Sequence, residues 1–138
     1  VATATNVTLA ADTISVINYT GAAAATMTLP AATAGTIVVY CQSKDTTGGT
    51  ATLVFDAAGS DVWATGSVIE SRGSSEVTFD TSAAGETKLT FTPANAATNL
   101  LTTGGQIAFI CYENATWHIA TKLAAETTQV TGAFVFAA

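Results

Sequence analysis

The stretch TLPAATAGTIVVYCQ, residues 28–42, shows the pattern that decides the fold of this chain. A strand-like segment ends at a proline, a turn of small residues follows, and an apolar run then leads from Gly35 to Cys41. Such a run is typical of a strand that is buried on both faces. The pattern Gly-x-Ile-x-x-x-Cys of residues 35–41 recurs at residues 105–111. This is too short for a repeat protein, so we expect two central strands that enter the core in the same way, as neighbours.

Short segments rich in Val, Ile, Thr and Phe follow one another along the whole chain, and helical periodicity is nearly absent. EVTFD (76–80) and KLTFT (88–92) alternate most cleanly. Turn-forming residues separate the segments, which is typical of a sandwich or small barrel. The sequence predicts an all-β, single-domain antiparallel β-sandwich or jelly-roll-like barrel over residues 1–138. The predicted strands are 5–9, 13–19, 25–29, 36–42, 51–55, 67–70, 76–80, 87–92, 106–112, 116–121 and 129–136.

The charge balance bears on the class of partner. The chain of 138 residues has ten acidic residues against four basic ones, giving a net charge of −6. A phosphate backbone would be repelled by this charge, and the basic residues form no cluster, so we expect no nucleic-acid partner. No apolar run is long enough to span a bilayer, and we expect no membrane partner.

The two cysteines each lie in an apolar run. Ile37 and Val39 are in phase with Cys41, and the same phase relates Ile107 to Cys111. We favour two buried free thiols. A single Cys41–Cys111 disulfide between neighbouring core strands is the alternative.

Residues for catalysis are scarce. His118 is the single histidine, and strand alternation places it on the face opposite Trp117 and Ile119. No serine has a nucleophile-elbow pattern, and the acids that could form a hydrolytic pair flank predicted turns. These acids are Asp56, Asp61, Glu70, Glu76 and Asp80. We therefore predict that the protein is not an enzyme and has no catalytic residue.

Metal and cofactor sites are equally unsupported. One histidine and two buried cysteines do not make a zinc site. The segment DAAGSD, residues 56–61, has two acids across a glycine turn but lacks the alternating ligands of a calcium loop. No glycine-rich loop is followed by the lysine that a phosphate site requires. We predict no metal and no cofactor.

Aromatic residues offer one candidate for ligand binding. Trp63 lies in the loop-like segment SDVWATG, where an indole could stack on a sugar. Trp117 and Tyr112 lie in predicted strands, where packing explains them better. The Asn-x-Thr sequences at Asn6, Asn18 and Asn114 arise easily by chance in a chain this rich in threonine.

Both ends of the chain are uncharged and strand-prone. VATATNVTLA begins it and QVTGAFVFAA ends it. Exposed apolar strands are an aggregation hazard, which partner contact or pairing within the protein's own sheets would remove. We predict that residues 1–10 and 127–138 are interface arms or edge strands. The candidate interface residues are Val7, Leu9, Val130, Phe134, Val135 and Phe136.

TLPAATAGTIVVY, followed much later by GGQIAFICYENATWHI, resembles small β-domains of tailed-bacteriophage virion proteins. In that group a strand ending in Leu-Pro precedes a small-residue turn, a glycine and a core strand, and a strand with Trp and a further apolar residue closes the domain. The matching positions are Leu29, Pro30, Gly35, Gly105, Trp117 and Ile119.

A free-standing domain of this length is similar to capsid decoration (cement) proteins. The resemblance implies a structural protein on the outer surface of the virion capsid, made in the host cytoplasm. It also implies a homotrimer bound to the lattice of the major capsid protein. The first alternative is a receptor- or glycan-binding module of a tail fibre or cell surface, with Trp63, Tyr19 and nearby acids in an exposed cluster. A surface structural domain with a real Cys41–Cys111 disulfide is the second.

Overall fold

The structure is a computed structural model that describes residues 2–3, 5–46, 51–72, 77–92, 103–122 and 134–138. These residues form thirteen β-strands. The described ranges include no helix that could cross a membrane. The strands are β1 (Ala2–Thr3), β2 (Asn6–Thr8), β3 (Thr13–Asn18), β4 (Ala25–Thr28), β5 (Ile37–Gln42), β6 (Leu53–Asp56), β7 (Val62–Trp63), β8 (Val68–Arg72), β9 (Val77–Thr81), β10 (Lys88–Phe91), β11 (Gln106–Glu113), β12 (Thr116–Lys122) and β13 (Phe134–Ala137).

The strands form two large sheets and a separate two-stranded ribbon. Sheet A has the order β1-β3-β5-β11-β12-β7, and sheet B has the order β13-β10-β6-β4-β2. The β8–β9 ribbon is antiparallel. The prediction of an all-β, sandwich-like domain is confirmed.

The strand directions are mixed rather than uniformly antiparallel. In sheet A, β1, β3 and β5 are parallel neighbours, and in sheet B the same holds for β2, β4 and β6. From β2 to β6 the chain passes from one sheet to the other at every connection. Two neighbouring parallel strands of one sheet, such as β2 and β4, are therefore connected through a strand of the other sheet, here β3. Within the described residues both sheets end in edge strands, and no barrel closes.

The core lies between the inner faces of the two sheets, where side chains alternate with outward-facing ones. Phe55 of sheet B contacts Tyr40 and Phe109 of sheet A, with ring centroids 5.1 and 5.2 Å apart. Trp63 lies 5.5 Å from Phe109 and 5.7 Å from Phe136. These rings fix sheet A on sheet B.

A buried polar cluster closes one end of this core. The Tyr40 hydroxyl donates to Oε1 of Gln42. Nε2 of Gln42 donates to the carbonyl oxygens of Tyr19, at 2.7 Å, and of Lys44. The Tyr19 hydroxyl donates to the carbonyl of Ala51. Each buried polar group of the cluster therefore has a partner, as a dry interior requires.

Because this cluster contains two buried tyrosines, we expect the free energy of unfolding to fall at alkaline pH. Burial raises the pKa of both Tyr19 and Tyr40. Their neutral forms are favoured in the folded state, while an unfolded tyrosine ionises near pH ~10. We expect the free energy of unfolding to be unaffected by these groups below pH ~10 and to fall above it, by up to ~1.4 kcal/mol per pH unit per tyrosine.

Urea unfolding measured at several alkaline pH values checks this expectation. The Tyr40→Phe variant should lose the share of the pH dependence that Tyr40 contributes. A free energy of unfolding that does not change through pH 10 and 11 would contradict the assignment of both hydroxyls to the core.

Candidate functional site

The outer face of sheet A, which points away from sheet B, is the first surface without a covering layer in the described residues. On β5 the inward residues are Val38, Tyr40 and Gln42, so Ile37, Val39 and Cys41 point outward. Val39 lies opposite Ile14 of β3 and Ala108 of β11. Ile37 lies opposite Ile110, and Val16 opposite Cys41. We call this set the outer face: Ile14, Val16, Ile37, Val39, Cys41, Ala108 and Ile110.

The outer face is apolar and open to solvent. Ile14 is 65% exposed, Ile37 44% and Val16 39%, while the other members are half-buried. A shallow groove of about 280 Å³ runs between β3 and β5, lined by Asp12, Thr13, Ile14, Ile37 and Val39. None of the outer-face side chains is charged. Contiguous exposed apolar patches are characteristic of interaction sites, so the outer face is a candidate interaction surface.

The two cysteines occupy opposite faces of sheet A. Cys111 points into the core with Ile107 and Phe109, as predicted, but Cys41 points outward and is only half-buried. Cys41 pairs with Gln106, five residues before Cys111, which is about 17 Å along the strand. Both thiols are free. The expectation that both are buried is wrong for Cys41, and the face and the distance exclude the disulfide alternative.

The β8–β9 ribbon presents two further exposed apolar side chains, on the same face as Glu70. Glu70 lies opposite Phe79, and Val68 opposite Thr81. Phe79 is 64% exposed and Val68 is also exposed. The sequence segments around Phe79 and Phe91 show the same alternation, but the Phe91 ring is fully buried. The difference arises because Phe91 lies on β10 of sheet B, whereas Phe79 lies on β9 of the separate ribbon. We call Val68 and Phe79 the ribbon surface.

The inner side of the ribbon is fastened to sheet B. Ile69 is buried, and Oδ2 of Asp80, on the opposite strand, accepts a hydrogen bond of 2.6 Å from the backbone N–H of Phe136. The Asp80 carboxylate thus accepts a hydrogen bond from a backbone N–H group of the edge strand β13. A strand of another molecule could not use that donor, so Asp80 protects this edge of the sheet.

The predicted terminal interface residues mostly lie inside the protein. Leu9, Phe134 and Phe136 are buried in the core, because β13 and the segment after β2 complete sheet B. These three are corrected from interface to core residues. Val7 is half-buried against the core and Val135 is exposed. Val130 lies outside the described residues.

Trp63 is also a core residue. Its side chain is 1% exposed, and its ring packs between Phe109 and Phe136. Tyr19 is equally buried. The predicted exposed cluster of Trp63, Tyr19 and acids is therefore wrong, because Trp63 belongs to the short edge strand β7 rather than to a loop.

The exposed aromatic residue of sheet A is instead Tyr112, at the end of β11. It is 67% exposed, and its ring lies 4.9 Å from that of His118. His118 points outward, opposite Trp117, as alternation predicted. Glu113, Thr116 and His118 line a groove of about 390 Å³ beside β7. These side chains offer hydrogen bonds and a stacking surface to a polar ligand.

In the described ranges, no three His, Cys, Asp or Glu side chains come together in a way that could hold a metal ion. Asp61, the second acid of the segment DAAGSD (56–61), has a structural role: its Oδ2 accepts a 2.6 Å hydrogen bond from the backbone N–H of Ala32 and so connects two loops. Asp45 does the same for Thr103, accepting from its N–H at 2.6 Å and its hydroxyl at 2.8 Å. These bonds lower the pKa of Asp45.

The chain matches no protein-family model, no curated protein and no solved structure.

Sequence reasoning missed the two exposed apolar surfaces. A signal for the outer face was present: in IVVYC (37–41), both alternate sets of residues are apolar. One set fills the core, and the other is left for a second apolar surface. No comparable signal distinguishes Phe79 from Phe91.

Proposed function

We propose that the chain is a non-enzymatic structural protein that decorates and stabilises the outside of a phage capsid, as a homotrimer. The observation that carries the proposal is that exposed apolar side chains lie on two separate surfaces, the outer face and the ribbon surface, of an acidic chain. A cement protein needs an exposed surface that contacts the lattice, and a second exposed surface allows contact between neighbouring bound assemblies. The homotrimer itself is implied by the motif resemblance. The motif resemblance of residues 28–40 and 104–119 to phage virion domains adds support.

Stabilisation of this kind needs no catalytic residue. A protein that binds only the assembled lattice stabilises that lattice by mass action. Several linked copies bind more firmly than one, because each bound subunit raises the effective concentration of the next. The copies would lie on the outer capsid surface, where an acidic exterior is compatible with solvent.

The ribbon surface is the part that we assign to the lattice. Phe79 is an exposed aromatic ring on a ribbon that is attached to sheet B through the Asp80–Phe136 hydrogen bond. Binding energy at protein interfaces concentrates on a few such anchors, which fill apolar pockets of the partner.

Capsid binding tests this assignment. Expanded capsids that lack the protein are mixed with the purified chain, and bound copies are counted against the major capsid protein. We expect near-stoichiometric binding, or a simple fraction of it, and a loss of at least about 30-fold in affinity for Phe79→Asp. Thr8→Asp adds the same charge at an exposed position on β2 and should bind normally.

Normal binding by Phe79→Asp would remove the ribbon surface from the lattice contact. Absence of the chain from purified virus particles would overturn the virion assignment itself. A handful of copies per particle would instead favour a tail or fibre module.

A receptor- or glycan-binding module is the second candidate, and the exposed Tyr112 ring beside His118 is the observation that favours it. A sugar would stack on Tyr112 and bond to Glu113 or Thr116 in the adjoining groove. A glycan array compares the natural chain with Tyr112→Ala. Signals that depend on Tyr112 would favour this candidate, and their absence would favour the capsid protein.

A further inference from the structure

We propose that two copies of this chain pair face to face through the outer face of sheet A. The inference goes beyond the proposed function and does not depend on it, since it concerns only the chain and a second copy. Sheets commonly pack on one another through apolar faces, and a flat face can meet its own copy across a two-fold axis.

The apolar side chains of the outer face form continuous rows across neighbouring strands. One row runs from Ile14 through Val39 to Ala108, and the next joins Ile37 to Ile110. The β-branched residues of these rows make a ridged surface that can interdigitate with an equivalent one. The inner side of the same strands packs in this way against sheet B.

The sequence of β5 is that of a strand covered on both faces. Its inner residues are covered by sheet B, whereas Ile37 on the outer side is 44% exposed. An apolar run without polar alternation is characteristic of strands buried on two sides. A second layer on the outer face would satisfy this pattern.

The lack of charge on the outer face permits a second copy as the occupant. The chain has a net charge of −6, so most approaches of two copies bring carboxylates together. The outer face has no charged side chain. Asp12 lines the groove beside Ile14 and Ile37, and its Oδ1 accepts a hydrogen bond of 3.0 Å from the backbone N–H of Ile37. On this face two acidic copies can meet without opposed charged side chains.

The size of the face sets the strength of the contact. Three strands, β3, β5 and β11, at ~4.8 Å spacing and about six residues of length give a face of roughly 300 Å² per copy. A standard stable interface buries about 800 Å² per partner. We therefore expect a reversible, concentration-dependent pairing rather than a permanent dimer. A two-fold contact does not close a trimer, so in a trimeric protein it would join one trimer to the next.

The accessibility of the Cys41 thiol can be used to detect this contact. Its half-buried thiol lies on the outer face, and pairing would cover it. Cys111 is buried on the other side of the same sheet and stays unreactive in the folded chain.

Sedimentation equilibrium and maleimide labelling of the purified chain test the inference. We expect the average mass to rise towards twice its dilute value as concentration increases, while labelling of Cys41 slows. Ile14→Asp and Ile37→Asp should each keep the dilute mass at all concentrations and label at a constant rate. Phe79→Asp is the matched control, because it places the same charge at an equally exposed apolar position on the ribbon, and it should behave like the natural chain.

Using two outer-face variants ensures that the result does not depend on one of them folding. The inference is wrong if the natural chain keeps a constant mass and labelling rate over the whole range. It is equally wrong if Phe79→Asp, rather than the outer-face variants, prevents the rise in mass. Loss of capsid binding by Phe79→Asp with pairing intact would separate this contact from the proposed lattice contact.

Discussion

We expect Phe109→Ala to lower the free energy of unfolding by about 3–5 kcal/mol, the range for removing a buried aromatic ring from a core. Phe109 lies on β11, inside sheet A, and its ring is fully buried. It contacts Phe55 of sheet B at 5.2 Å and Trp63 at 5.5 Å between ring centroids. Its removal leaves a cavity between the sheets and deprives two other large rings of a neighbour.

Urea denaturation of the natural chain and the variant measures this loss. Phe79→Ala removes the same ring from the exposed ribbon surface and should change the free energy of unfolding by about 0.5 kcal/mol or less. Equal effects of the two substitutions would show that the burial of these phenylalanines is not as described.

The second large effect is expected at Gln42. Replacing it by methionine keeps the length of the side chain but removes the partners of the Tyr40 hydroxyl and of the carbonyls of Tyr19 and Lys44. A buried polar group without a partner costs about 1–3 kcal/mol. We expect Gln42→Met to lower the free energy of unfolding by about 3 kcal/mol or more.

A double-mutant cycle with Tyr40→Phe isolates the hydroxyl. Once the hydroxyl is absent, Gln42→Met leaves one fewer group unpaired and should cost about 1 kcal/mol less than in the natural chain. Gln106→Met, on the outer side of β11 opposite Cys41, is the control and should have little effect. Strict additivity in the cycle would mean that Tyr40 and Gln42 do not interact.

The strand positions and the fold class could be predicted from the sequence because they depend on local properties. β-Branched segments of four to eight residues, separated by turn formers, specify strands wherever they pack. The position of His118 opposite Trp117 followed in the same way from the two-residue period of a strand. Edge strands as short as β7 escape such reasoning, which is why Trp63 was predicted to lie in a loop.

The tertiary structure decided which side chains of a strand point into the core and which point to solvent. The patterns at residues 35–41 and 105–111 share the same spacing, and β5 and β11 are neighbours, as predicted. Yet Ile107 and Cys111 point into the core, while Ile37 and Cys41 point to solvent. The backbone before the two strands differs as well: the glycine with positive φ is Gly35 of the first pattern, at +93°, but Gly104, at +81°, which precedes the second pattern.

By itself, the sequence determined an acidic, all-β chain of short strands with two central neighbours. Only the tertiary structure decided which alternate set of each apolar strand fills the core and which forms the outer face. The physical reason is that both sets of β5 are apolar, so local hydrophobicity does not choose between them. The choice depends on the larger burial and hydrogen bonding of Tyr40 and Gln42, whose partners Phe55 and Tyr19 lie on strands or loops distant in the chain.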